Sequence, residues 1–98
     1  MIGVFVTFRY EDNFNEEALR AIAENARAKF EGMPGLRSKA FTINSEKREA
    51  VNFYVWDSED AARALFTDQF REMVTNKYGV SPSIEFVQIL TLVDNVAA

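Results

Sequence analysis

Ile2, Val4, Val6 and Phe8 alternate with Gly3, Phe5, Thr7 and Arg9. A period of two, filled with branched and aromatic residues, predicts a strand over 2–10. The period then changes. Leu19, Ile22, Ala23, Ala26 and Phe30 recur at helical spacing, with Arg20, Glu24 and Arg27 on the outer side. Asn15 is a candidate cap, with Phe14 and Leu19 at hydrophobic-staple spacing; Asn13 with Glu16 is a rival capping box. Gly32 suits the left-handed position past the helix, and Pro34 prevents its continuation. "LRSKAFTIN" (36–44) and "AVNFYVW" (50–56) read as a second and third strand around the polar turn "SEKRE", hence a hairpin. A second helical segment starts at Asp57 or Ser58 and carries Ala61, Ala62, Leu65 and Phe66. It meets a break or a fresh cap at Thr67 and Asp68, then continues through Phe70, Met73 and Val74 to Tyr78, where Gly79 and Pro82 end it. "SIEFVQILTLVDN" (83–95) predicts a long last strand, followed by the tail "VAA".

The resulting order, β-α-β-β-α-β, predicts a ferredoxin-like α+β domain over 1–98: a four-stranded antiparallel sheet with the helices on one face. That leaves the other face bare, yet "VNFYVW" (51–56) has almost no polar side. Val51, Phe53 and Val55 point one way and Asn52, Tyr54 and Trp56 the other, and the pattern does not say which triplet lies under the helices. Phe5 on the first strand, and Val87 and Ile89 on the last, repeat the two-sided apolarity. Exposed patches of this extent are rare on monomers. The expected cover is a second copy, sheet against sheet, in a two-fold homodimer. The composition agrees, since 48% hydrophobic residues and nine Phe are a large apolar load for 98 residues.

The net charge of −4 argues against nucleic acid and against an anionic membrane surface, which both attract basic chains. No apolar run approaches a membrane span and no leader pattern precedes the first strand, so no membrane partner and a cytoplasmic location are expected. Cys and His are both absent, which removes the thiolate nucleophile, the usual transition-metal and haem ligands and the usual neutral-pH acid–base group. No GxGxxG or GK[ST] run marks a nucleotide site. No cofactor is therefore expected, although a flavin held without a motif stays open.

"PGLRSKAFTINSEKREAVNFYVWDSEDAARALF" (34–66) carries a further signal. A Pro-Gly pair and a large apolar residue (Pro34, Gly35, Leu36) lead to a Lys strand (Lys39). A Glu-rich turn (Glu46, Glu49), a Tyr strand (Tyr54) and a Ser cap before an Ala-rich helix (Ser58, Ala61, Ala62) follow. This pattern resembles the YdhR-like monooxygenases of the dimeric α/β-barrel (antibiotic biosynthesis monooxygenase-like) superfamily. The resemblance implies ferredoxin-like subunits, a dimer formed through the sheets and a pocket between sheet and helices. Activities implied for such a pocket include cofactor-free oxygenation of aromatic polyketides, quinol oxidation, haem degradation, and isomerase or cyclase chemistry. Haem-binding relatives use a His on the helix corresponding to about 68–78; here it reads "DQFREMVTNKY".

Candidate chemistry centres on the hairpin. If Asn44 pairs Glu49 across a four-residue loop, Lys39 faces Tyr54, Arg37 faces Trp56 and Phe41 faces Asn52; a five-residue loop reverses these partners. On the functional reading Lys39 and Tyr54 hold a phenolate or enolate as catalytic groups, while Trp56, Phe41 and Phe5 stack an aromatic ring. Either group assists only if its pKa moves toward neutrality. Thr7 and Arg9 on the adjacent first strand, Asn52 in the middle of the third, and Phe66 and Phe70 on the helices complete the candidate binding set, Arg9 as a bidentate carboxylate ligand. Plainer roles stand beside these. Lys39 snorkels along aromatic neighbours, Arg9 is solvated or bridges to a surface acid, Asn52 bonds across the dimer interface, and Phe66, Phe70 and Met73 pack the core.

The expected function is cofactor-independent monooxygenation of a small aromatic or quinol-like compound. An isomerase or cyclase on a similar ligand, or a non-catalytic small-molecule-binding dimer, is the alternative. RNA-recognition domains share this fold and use strand aromatics, but "EAVNFYVW" lacks their basic-Gly start and the charge is of the wrong sign.

Overall fold

A computed structural model describes residues 1–96 of the chain. Four strands, β1 (Ile2–Arg9), β2 (Leu36–Asn44), β3 (Glu49–Trp56) and β4 (Ser83–Gln88), form one antiparallel sheet in the order β2-β3-β1-β4. Helix α1 (Glu16–Phe30) joins β1 to β2, and α2 (Glu59–Leu65) with α3 (Asp68–Tyr78) joins β3 to β4. The order β-α-β-β-α-α-β is the ferredoxin-like α+β arrangement, with the second helical segment divided.

Local chemistry sets the helix ends. Asn15, rather than Asn13, caps α1: its side-chain oxygen accepts from the Ala18 amide at 3.0 Å. Ser58 caps α2 in the same way. The backbone leaves helical geometry at Phe66, and the Thr67 hydroxyl then accepts from the Phe70 amide at 3.1 Å, so the break is a fresh cap. Gly79, at φ 82, closes α3 in the left-handed conformation that side chains resist.

The strand register answers the question raised by "VNFYVW". Asn44 pairs Glu49, Phe41 pairs Asn52 and Lys39 pairs Tyr54, as a four-residue loop requires. An irregularity between Leu36 and Ser38 places Leu36, not Arg37, opposite Trp56, and Arg37 turns to Asp57 at 3.6 Å. β1 sets Val6 against Asn52 and Val4 against Tyr54. Directly opposed residues share a face. The even-numbered triplet Asn52, Tyr54 and Trp56 therefore lies under the helices. There Tyr54 and Trp56 join Val4, Val6, Phe8, Leu19, Ala62 and Phe70 in the core. Val51, Phe53 and Val55 face the opposite side with Phe5, whose ring is 4.6 Å from that of Phe53.

The last strand is shorter than its apolar pattern predicts, ending at Gln88 and not at 95. Among the described residues its one neighbour is β1, and the ladder runs out where β1 begins: Gln88 pairs Ile2, and the Ile89 amide makes a final bond of 3.0 Å to the Met1 carbonyl. Beyond that point no strand is left to pair with. Leu90, Val93 and Val96 extend into solvent, and Ala97 and Ala98 of the predicted tail lie outside the described residues. Among the described residues no helix is long and apolar enough to cross a membrane.

Candidate functional site

A cleft of about 410 Å³ opens on the helix side, between α1 and the β2–β3 hairpin. That volume is in the range of small-molecule sites, roughly 300–1,000 Å³. Its floor is Lys39, Phe41, Ile43, Ala50 and Asn52; α1 contributes Leu19 and Ala23 with the exposed Arg20, Glu24 and Arg27, and Tyr78 closes it from α3. A second, inner cavity of about 30 Å³ continues toward the core, among Ile22, Ala26, Phe30, Tyr54, Phe70 and Met73. This is about the share of one water molecule in the liquid. Lys39, Phe41, Asn52 and Tyr78 border both spaces and form the wall between them.

The alternation of β2 turns Lys39 inward onto aromatic faces. Its Nζ lies 3.3 Å from the ring centroid of Phe30, 4.1 Å from that of Phe41 and 4.4 Å from that of Tyr54. These rings attract a cation through their quadrupoles but give it no hydrogen-bond acceptor. No ion pair holds the amine among the described residues. Burial, with the like charges of Lys29 and Lys77, lowers its pKa to about 7. The neutral amine, a base and a nucleophile, is therefore well populated at neutral pH.

Tyr54 behaves oppositely. Burial first, and Tyr78 second, push its phenol far above the usual range. Of this pair, then, Lys39 is shifted toward neutrality and Tyr54 away from it, so Tyr54 stays a neutral O–H.

Asn52 is buried at 4% exposure in the middle of β3, where an unpaired amide is costly. Its Nδ2 donates to the Tyr78 hydroxyl oxygen at 3.1 Å. Because it faces the helices, it is turned away from the bare sheet face, and a bond across a sheet-to-sheet interface is ruled out by register. Tyr78 is held independently: its ring stacks on Phe8 at 3.7 Å and 4°, and the Tyr10 hydroxyl donates to its backbone carbonyl at 2.7 Å. Burial raises the Tyr78 pKa against the opposing hydrogen bond from Asn52. A neutral Tyr78, already accepting from Asn52, keeps its own proton to donate.

Of the residues singled out from sequence, Lys39, Phe41 and Asn52 meet at the cleft floor, with Tyr54 and Phe70 beneath them on the inner cavity. The others lie elsewhere. Thr7 and Arg9 sit on the opposite face of the sheet, as does Phe5, because β1 sets them against Val51, Glu49 and Phe53. Arg9 spends its guanidinium on the cross-strand Glu49 carboxylate at 2.6 Å. Trp56 is on the helix side but is sealed in the core, stacked on Tyr54, with no partner for its indole N–H among the described residues. Phe66 is half-buried and packs against the core, edge-on to Tyr54, Trp56, Phe70 and Phe86.

Tyr78 was not singled out from sequence, where it reads only as the end of an apolar stripe. Arg20, Glu24 and Arg27 read as the solvated side of α1. Among the described residues no group of three or more acidic side chains is placed to hold a metal ion.

A family model described as "Putative mono-oxygenase ydhR" matches residues 4–88. Among solved structures the chain is similar to Rv0793 from Mycobacterium tuberculosis, at 15% identity and a TM-score of 0.70 over 95% of this chain and 98% of that one. It is similar to a monooxygenase from ActVA-Orf6 of Streptomyces coelicolor, solved with nanaomycin D, at 19% identity and 0.71 over 94% and 89%. A variant of SnoaB, a cofactor-independent oxygenase from Streptomyces nogalater, gives 18% and 0.66 over 93% and 94%. No curated protein matches the chain. At these identities the structural likeness is one of fold.

Proposed function

The chain belongs to the ydhR mono-oxygenase family, and we propose that it is a cofactor-independent monooxygenase of a small aromatic or quinol-like compound. The observation that carries this reading is the unpaired, desolvated Lys39 amine at the floor of an aromatic cleft large enough for fused rings. A phenol in the cleft gives its proton to Lys39, while the Tyr78 hydroxyl donates to the developing oxyanion. The electron-rich anion reduces dioxygen by one electron, the radical pair combines at a ring carbon, and the resulting peroxide anion takes the proton back from Lys39 to give a hydroperoxide. Loss of water leaves a quinone: one phenol and one O₂ give one quinone and one H₂O. In that step Lys39 takes the ring C–H proton as the O–O bond breaks and passes it to the departing hydroxide. Tyr54, held neutral, and Phe41 and Phe70 line the path without exchanging protons.

The functional unit on this reading is a homodimer. The sheet face that carries Phe5, Phe53 and Val87, together with the exposed Leu90, Leu92 and Val93 beyond β4, supplies the apolar surface for a second copy. An interface of this kind buries roughly 2,000 Å² or more.

The test is oxygen uptake with a panel of hydroquinones and polyhydroxylated naphthalenes. Turnover is expected to rise as pH passes through about 7, where Lys39 loses its proton, and to fall at least about a hundredfold in Lys39→Met. Tight binding of panel members without uptake would instead favour the ligand-binding alternative.

A further inference from the structure

We propose that Lys39 is a covalent site for small aromatic aldehydes and ketones, its amine forming an imine with a carbonyl carbon seated in the cleft. Location and surroundings both support this. Lys39 stands in the wall between the outer cleft and the inner cavity, so it borders the space that a carbonyl compound lying on Phe41 and Ile43 would occupy. The amine is enclosed by the rings of Phe30, Phe41 and Tyr54 and bonded to no acceptor among the described residues, so no ion pair must break to free its lone pair.

The charged and titratable groups around it leave the nitrogen nucleophilic. From α1 it faces Lys29, with Arg20, Arg27 and a single acid, Glu24, further along the cleft wall; from α3 it faces Lys77 and Tyr78; from β3 it faces Tyr54, whose phenol stays protonated. The surplus is positive, and burial acts in the same direction, so the free amine is present at about pH 7. A lysine in an apolar pocket beside other cations is the usual arrangement for nucleophilic amine chemistry.

The reaction balances without an added oxidant or reductant. The nitrogen lone pair forms the C–N bond and the carbonyl π pair moves to oxygen. The ammonium proton passes to that oxygen to give a carbinolamine. The hydroxyl then leaves with the second nitrogen proton as one water, and C=N remains. Proton abstraction, the role proposed for Lys39 above, leaves its mass unchanged, whereas this step adds the ligand. The two readings therefore stand or fall separately.

The experiment uses the full-length wild-type protein, benzaldehyde at pH 7 and sodium cyanoborohydride as the hydride donor that fixes the imine as a benzylamine. Peptide mapping then compares the chain's lysines (Lys29, Lys39, Lys47 and Lys77) and the α-amine of Met1. Lys39 is expected to label about tenfold faster than the exposed Lys47, because its amine is desolvated among the rings that line the cavity, and to lose that lead in 8 M urea. Labelling of Lys39 no faster than Lys47, or a lead that persists in urea, overturns the proposal, whatever the oxygen-uptake panel shows.

Discussion

The Asn52 side-chain amide donates to the Tyr78 hydroxyl at 3.1 Å, joining the centre of β3 to the last turn of α3. The bond explains how an amide is tolerated among core residues, and it fixes the phenol that closes the cleft. It also couples the two residues, since removing the Tyr78 hydroxyl leaves the buried Asn52 amide unmatched.

Tyr78→Phe is expected to destabilise the protein by about 1–2 kcal/mol, because the Asn52 amide keeps its burial and loses its acceptor. Asn52→Leu removes the need for that acceptor. The double variant should therefore cost less than the sum of the two single changes, by about 0.5–1.5 kcal/mol. Urea unfolding of the four proteins measures the difference.

Lys39 makes stability depend on pH with a definite sign. Its folded pKa, about 7, lies below its unfolded value, so between the two the unfolded chain binds the extra proton. The penalty is complete below about pH 7 and is relieved as pH rises toward the unfolded pKa, at most about 1.4 kcal/mol per unit. Wild type compared with Lys39→Met in urea at pH 6 to about 9.5 should show wild type gaining. A flat difference across that range would contradict the desolvated amine.

Gly35 and Gly32 both have positive φ but differ in surroundings. A Cβ on Gly35 would stand 2.7 Å from the Ala61 Cβ, while nothing lies within 4 Å of one on Gly32. Gly32→Ala should cost only the conformational penalty, about 1 kcal/mol. Gly35→Ala adds a clash between the start of β2 and α2, for a total of about 3 kcal/mol or more. Thermal melts of the pair distinguish the terms.

For the dimer, Phe5→Lys places a charge on the open face, away from the cleft and the helix-side core. Sedimentation at micromolar concentration should shift from two copies to one with the circular dichroism spectrum retained. Truncation after Gln88 should weaken association in the same direction, since it deletes Leu90, Leu92 and Val93.

Much of this molecule was legible in its residues. Alternation and capping chemistry placed the strands and helical segments in order, and of the two loop lengths open between Asn44 and Glu49 the four-residue one, which sets Lys39 beside Tyr54 and Phe41 beside Asn52, is the one observed. What stayed hidden depends on information a local pattern does not carry. "ILTLV" (89–93) is as strand-like as the residues before it, yet a strand needs a neighbour, and β1 ends there. The face of β3 under the helices was undecided because both of its faces are apolar. Arg37 was misplaced by one irregular residue in β2. Thr7 and Arg9 have chemistry suited to a ligand, but the pleat points them away from the cleft. Tyr78 joins the site only through the packing of α3 on β1, which brings together residues seventy apart in the chain.

Trp56 is the chain's only tryptophan, sealed from solvent and stacked on Tyr54, which in turn borders the inner cavity beside Lys39. Its emission therefore comes from a single dry environment one ring removed from the cleft wall. A blue-shifted emission is the expected consequence, and a change in its intensity across a pH titration would report on Tyr54 and Lys39 without any attached dye.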